Sequence, residues 1–158
     1  MDTQVRRNTD RLVEHHPTCV CANLRRATRA ITNLYDAALA SSGLKITQFS
    51  LLRAVGRNEP VAITALAEEM ALDRTTLARN LAPLQRDQLV ELTPGSDQRV
   101  TEVRLTKAGR DAIAKALPLW KKTQADVARL LSRGRLEQMR EMADEVSLAA
   151  EAFASKRR

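Results

Sequence analysis

The chain has 158 residues, 3% of them aromatic, and a formal net charge of +7. That length allows one domain or two small lobes, with enough burial to fold without a disulfide or metal. Scarce aromatics disfavour a β-sandwich, and the cationic excess suits a polyanion, either nucleic acid or an anionic membrane surface.

No apolar run approaches the ~18 residues that span a bilayer. The N-terminal stretch mixes Asp2, Arg6, Arg7, Asp10, Arg11 and Glu14 with few apolar side chains, unlike a secretory signal. A soluble cytoplasmic protein is expected. Residues 1–17 read as a charged, flexible arm ending at Pro17. From Thr18 onward, Leu24, Ala27, Ile31, Leu34 and Ala38 step by three and four, one helical face, up to a C-terminal cap at Gly43. A second helix is predicted over 47–57, burying Phe49, Leu52 and Val55, with Asn58-Glu59-Pro60 as a loop. A short helix over 62–72 then runs through a turn at Leu72-Asp73 into a helix over 74–88. Extended runs over 89–93 and 99–105 flank Pro94-Gly95, and Thr106-Lys107-Ala108-Gly109 opens another helix. Helix, turn, helix, hairpin is the order of a winged helix-turn-helix, whose second helix enters a DNA major groove.

Beyond the hairpin, Ile113, Leu117, Trp120, Val127 and Leu131 continue at helical spacing, with Gln124 as a polar interruption. Pro118 should kink this helix. Ser132-Arg133-Gly134 breaks the pattern, and a last helix carries Leu136, Met139, Ala143, Val146, Ala150 and Phe153 in a heptad-like stripe. The expected fold is mainly α. A winged helix-turn-helix with a small β-hairpin wing (44–109) lies between long terminal helices (18–43 and 110–158) that form a dimerisation lobe. Those helices either cover the central lobe or interlock with a second copy. A homodimer is expected, because helix-turn-helix proteins usually read two half-sites through a two-fold axis.

In the helix over 74–88, Leu77, Leu81 and Leu84 share one face, while Thr75, Arg79, Ala82 and Arg86 lie opposite and Thr76 and Pro83 flank them. Arg79 suits guanine O6 and N7 as a bidentate donor, and Thr75 or Thr76 a base edge or thymine methyl. Asp73 is a natural N-cap, Arg74 a phosphate contact. Pro83 should bend the helix, leaving 73–82 to enter the groove and the remainder to pack on the hairpin. In the hairpin, Thr101, Val103 and Leu105 alternate with Glu102 and Arg104. At its tip Asp97 and Arg99, two apart in extended chain, would project together, the carboxylate fixing the guanidinium for a phosphate or the minor groove.

Leu66-Ala67, Leu72-Asp73-Arg74-Thr75-Thr76-Leu77, Asp97-Gln98-Arg99 and Leu105-Thr106-Lys107-Ala108-Gly109 together resemble the MarR family of regulators. The resemblance implies a triangular homodimer that occupies pseudo-palindromic promoter sites on double-stranded DNA, represses transcription, and releases DNA on binding a small, often phenolic, ligand. Two positions depart from the family pattern. Gln88 stands where a glycine usually ends the recognition helix, and Leu92 where a basic residue commonly follows.

His15, His16, Cys19 and Cys21 hold every histidine and cysteine of the chain. Three readings stay open: small packing residues at a helix start, a redox switch aided by Arg25 or Arg26, and a zinc or copper site. The metal reading meets no standard finger spacing, and no metal or cofactor is expected. Cys21, Leu24, Thr28, Arg29 and Tyr35 are spaced like the first helix of organic-hydroperoxide-resistance regulators in the same family. The likeness implies Cys21 as the oxidised sensor supported by Tyr35, although a further tyrosine expected four residues after the cysteine is replaced by Arg25. A ligand pocket between the lobes would draw on Arg25, Arg29 and Trp120. Without a glycine-rich phosphate loop or nucleophile elbow, no catalytic residue is assigned and an enzyme is not expected. The rival is a winged-helix protein-interaction module without specific DNA binding.

Overall fold

The computed structural model describes residues 19–131 and 133–156. The charged arm, with His15 and His16, lies outside the described residues. The chain divides into two units, Met1–Leu34 and Tyr35–Arg158. Helix α1 (Val20–Leu39) begins in the first and ends in the second. Within the first unit its apolar side chains Val20, Leu24, Ile31 and Leu34 are all exposed.

The second unit continues through a 3₁₀ turn (Ala40–Ser42) closed by Gly43, at φ +82° as the sequence predicts, whose N–H donates to the Ala40 carbonyl. Helix α2 (Ile46–Asn58) is started from a distance: the Asp36 carboxylate accepts the Ile46 N–H at 2.7 Å. Then come β1 (Val61–Ala62), α3 (Ile63–Glu69), α4 (Arg74–Arg86), β2 (Val90–Pro94), β3 (Thr101–Leu105), α5 (Lys107–Leu131) and α6 (Arg133–Ser155). The sheet order is β1-β3-β2, antiparallel throughout, with Val61 and Leu92 both facing Val103 in register and Val90 facing Leu105. Phe49, Leu52 and Val55 of α2 meet Leu66 of α3, Leu77, Leu81 and Leu84 of α4, Val90 and Val103 of the sheet and Ala116 of α5 in one aliphatic core.

Both helices of the helix-turn-helix end earlier than periodicity suggests, and for one reason. After α3, Ala71 takes φ +50°; its N–H donates to the Glu68 carbonyl and the Leu72 N–H to the Ala67 carbonyl. After α4, Gln88 takes φ +56°, with Gln88 N–H to the Gln85 carbonyl at 3.0 Å and Leu89 N–H to the Leu84 carbonyl at 2.8 Å. Each is a Schellman turn, which ordinarily places glycine at the left-handed position. Gln88 therefore adopts the backbone of the glycine it replaces. Left-handed backbone costs a side-chain-bearing residue about 1–2 kcal/mol, partly offset by glycine's larger chain entropy. Gln88→Gly is expected to stabilise the fold by about 0.5–1 kcal/mol, read as a higher urea midpoint at unchanged slope.

Several boundaries differ from expectation. Val61 and Ala62 pair with β3, adding a third strand to the predicted hairpin. Pro83 and Pro118, by contrast, lie inside α4 and α5 as the sequence places them. Arg133 and Gly134, read as a break, lie in the first turn of α6, while Ser132 is outside the described residues. In the stripe of α6, Leu136 and Val146 are half-buried, and Met139 and Phe153 exposed.

Glu59 anchors the loop before β1. Its carboxylate accepts the Leu105 N–H at 2.7 Å and pairs with the Arg110 guanidinium, tying the end of α2 to the end of β3 and the start of α5. The Arg110 hydrogen bond foremost, aided by the Leu105 N–H, holds its carboxyl below the ordinary glutamate value. A carboxyl depressed in the folded state stabilises at pH above its unfolded value, and that contribution is lost as pH falls through the folded one. Glu59→Gln is expected to cost about 1.5–3 kcal/mol at neutral pH and to flatten the acid limb of stability against pH, measured by urea unfolding at several pH values.

Candidate nucleic-acid interface

Helix α4 begins at Asp73, extended at φ −71° and ψ 157°. Its carboxylate accepts the Thr76 N–H at 2.9 Å and the Thr76 hydroxyl at 2.6 Å. Those bonds, the hydroxyl foremost, hold the Asp73 carboxyl below its ordinary value. Thr76 is thereby committed to the cap, and Thr75 is the neighbouring hydroxyl that stands exposed.

The spacing of apolar positions sets what the helix presents. Leu77, Leu81 and Leu84 are at most 2% exposed, which directs Thr75, Arg79, Ala82 and Arg86 outward, as the helical wheel predicts. Arg74 and Arg79 have no ion-pair partner among the described residues. Arg86 differs: its Nε donates to the Asp87 carboxylate at 3.1 Å, so part of its charge is answered within the chain.

The tip of the hairpin is a turn, and this corrects the expected Asp97–Arg99 side-chain pair. Gly95 N–H donates to the Val100 carbonyl at 2.7 Å and Val100 N–H to the Asp97 carbonyl at 2.8 Å. The Asp97 carboxylate accepts the backbone N–H of Arg99 at 3.0 Å, not its guanidinium. Side chains two apart share a side only in extended chain; a carboxylate bound to the N–H two residues on is an Asx turn. Asp97 therefore shapes the tip, and the Arg99 side chain stands exposed. Sequence reasoning passed over Arg104, exposed on β3 and 3.9 Å from Glu102. Its alternation with buried Val103 and Leu105 is the signal that finds it.

The remaining candidates are placed individually. Cys19 and Cys21 are free thiols, both exposed, and Arg25 and Arg29 stand exposed on α1. Tyr35 is buried, and its hydroxyl donates to Gln124 Oε1 at 2.5 Å; burial raises its pKa. Gln124, a break in the apolar stripe, is thus the partner that Tyr35 requires. Trp120 packs on Phe49 with ring centroids 6.0 Å apart and lies under the Arg53 guanidinium at 4.8 Å. Among the described residues no three His, Cys, Asp or Glu side chains gather as a metal site, and no helix is long and apolar enough to cross a membrane.

A capped helix with a cationic outer face, followed by a β2–β3 hairpin that pairs with β1 in a three-stranded sheet, is a winged helix-turn-helix. Residues 42–99 match the profile of the MarR family. The chain is 40% identical to the M. tuberculosis transcriptional regulator MosR in complex with DNA, over 85% of this chain and 97% of that one, with a TM-score of 0.78. A second structure of M. tuberculosis MosR gives 37% identity over 86% and 98%, with a TM-score of 0.74. The PcaV regulator of Streptomyces coelicolor, in complex with its natural ligand, is 20% identical over 84% and 94%, with a TM-score of 0.76, a likeness of fold alone. No curated protein matches by sequence. The chain belongs to the MarR family of winged-helix, DNA-binding transcriptional regulators.

Proposed function

We propose that the chain is a cytoplasmic homodimeric repressor that lays α4 of each copy in the major groove at one half of a pseudo-palindromic operator. The observation that carries this reading is the outer face of α4, where Thr75 and an unpaired Arg79 stand opposite three buried leucines. Arg79 and Thr75 read base edges, Arg74 and Arg99 hold phosphates, and Arg86, half answered by Asp87, adds less. Thr76 and Asp97 act by shaping the helix start and the wing tip. Exposed apolar side chains on α1 (Leu24, Ile31, Leu34) and on α6 (Met139, Met142, Leu148, Phe153) support dimerisation through the terminal helices. The DNA complex of the MosR relative favours this reading over a protein-interaction module. Selection of bound sequences from random duplex tests it: two related half-sites about 10–10.5 bp apart are expected, and a single half-site or no enriched sequence overturns it.

Release by a small ligand or by cysteine oxidation completes the reading. The exposed thiol of Cys21 favours oxidation: a hydroperoxide transfers one oxygen, the thiol becomes a sulfenic acid, and the peroxide leaves as alcohol or water. Peroxide is expected to release DNA from the parent and not from Cys21→Ser. Equal release from both, in a gel-shift titration, removes oxidation at Cys21 and leaves the ligand.

A further inference from the structure

Where the end of α4 meets the start of β2 and the start of α5 lies an open cavity of about 430 Å³. Its walls are Gln85 of α4, Gln88 just past it, Val90 and Glu91 of β2, and Thr106-Lys107-Ala108. Thr106 is committed, its hydroxyl donating to the Gln88 carbonyl and accepting the Gly109 N–H. Lys107 is answered by Asp111 at 2.7 Å. Glu91 is paired in register with Arg104, whose guanidinium lies 3.9 Å from the Glu102 carboxylate. Glu91 itself has no ion-pair partner among the described residues, and the side-chain amides of Gln85 and Gln88 have no hydrogen-bond partner among them. Lys107 and Asp111 cancel, so the Glu91 charge is left to be balanced from outside. Gln88, moreover, carries its side chain at φ +56°, a backbone that glycine holds without strain. Strain of this kind collects where a side chain is put to use, ligand clamps included.

We propose that this cavity binds small primary ammonium ions, the cationic head among Glu91, Gln85 and Gln88 and the alkyl body against Val90 and Ala108. A primary ammonium has three N–H donors and no acceptor, and three unused acceptor side chains line the space. The carboxylate supplies the charge-assisted bond, the two amide oxygens the others. The start of α5 adds partial positive charge beside Lys107, which keeps the head on the β2 side. The volume lies within the range of small-molecule pockets, ~300–1,000 Å³. The chain as a whole repels cations at +7, so saturable uptake of one reports this local arrangement and not bulk attraction. None of Thr75, Arg79 and Arg99 lines the cavity, so the proposal stands or falls independently of the DNA interface.

The test is an NMR titration of the isotope-labelled full chain with n-butylammonium, beside n-butanol and n-butyltrimethylammonium. n-Butylammonium is expected to shift the side-chain amide signals of Gln85 and Gln88 saturably. n-Butanol lacks the charge and n-butyltrimethylammonium the N–H donors; each should bind at least about tenfold more weakly, the scale of a lost charged hydrogen bond. Glu91→Gln is expected to weaken n-butylammonium by a similar factor. Gln88→Gly, read on the Gln85 amide, should weaken it about threefold to tenfold while raising the urea midpoint. A merely structural role for Gln88 would not lower affinity in a more stable protein. Urea unfolding checks that both variants fold; should Glu91→Gln fail to, Gln88→Gly carries the comparison. Parent-like affinity in either folded variant overturns the proposal. So does n-butanol or n-butyltrimethylammonium binding as well as n-butylammonium, or unmoved Gln85 and Gln88 amides in the parent at millimolar concentration.

Discussion

Arg79→Ala is expected to weaken operator binding by about 1–3 kcal/mol and to relax discrimination at one base position in each half-site. The side chain stands exposed in the middle of α4, on the face opposite Leu77, Leu81 and Leu84. Its removal therefore leaves the core untouched, and lost affinity is separable from lost stability. Arginine offers two parallel donors to guanine O6 and N7, and a wrong base leaves those donors unpaired in the groove. Arg99→Ala should behave differently. If its charge at the turn of the wing meets phosphate or the minor groove, as proposed, all sequences weaken alike and the log–log salt slope falls by about 0.9 for one lost phosphate contact. Anisotropy titrations at several salt concentrations, with the operator and with single-base variants, separate the two. If both variants bind like the parent at every salt, α4 and the wing do not contact DNA as assigned.

The helices were legible because their apolar positions recur every three or four residues, and the three leucines of α4 alone orient its outer face. What stayed hidden depends on contacts across the chain or on geometry without a residue signature. Strand β1 is two residues long and exists only through pairing with β3, so no local alternation marks it. The left-handed turns at Ala71 and Gln88 carry no glycine to announce them. The outward direction of Thr75 and Arg79 was readable, whereas the fates of Thr76 and Arg86 were set by their neighbours Asp73 and Asp87. The Asp97 carboxylate found a backbone N–H closer than the guanidinium that sequence spacing offered.

Gly109 belongs to the Thr106-Lys107-Ala108-Gly109 run that marks the family, and packing gives the reason for it. Helix α5 starts where Thr106 is fastened to the end of the recognition helix. The Thr106 hydroxyl donates to the Gln88 carbonyl at 2.6 Å and accepts the Gly109 N–H at 3.0 Å, while the Thr106 N–H donates to the Leu89 carbonyl at 3.2 Å. This brings the first turn of α5 so close to Leu89 that a Cβ on Gly109 would lie 2.0 Å from the Leu89 carbonyl oxygen. The obstacle is backbone, so no rotamer change relieves it, and either α5 or the Leu89 backbone just before β2 must move. Gly109→Ala is expected to cost about 3 kcal/mol or more. Gly134→Ala makes the control: in helix α6, with open space around its Cα, the same methyl should stabilise by about 0.5–1 kcal/mol. Urea unfolding of the two variants should therefore shift in opposite directions. A Gly109→Ala midpoint at or above that of the parent would show that α5 does not approach the Leu89 backbone this closely. Because Thr106 links Gln88 to α5, Gly109→Ala should also weaken DNA beyond what its unfolded fraction explains, through the displaced end of α4, measured by anisotropy well below the melting temperature.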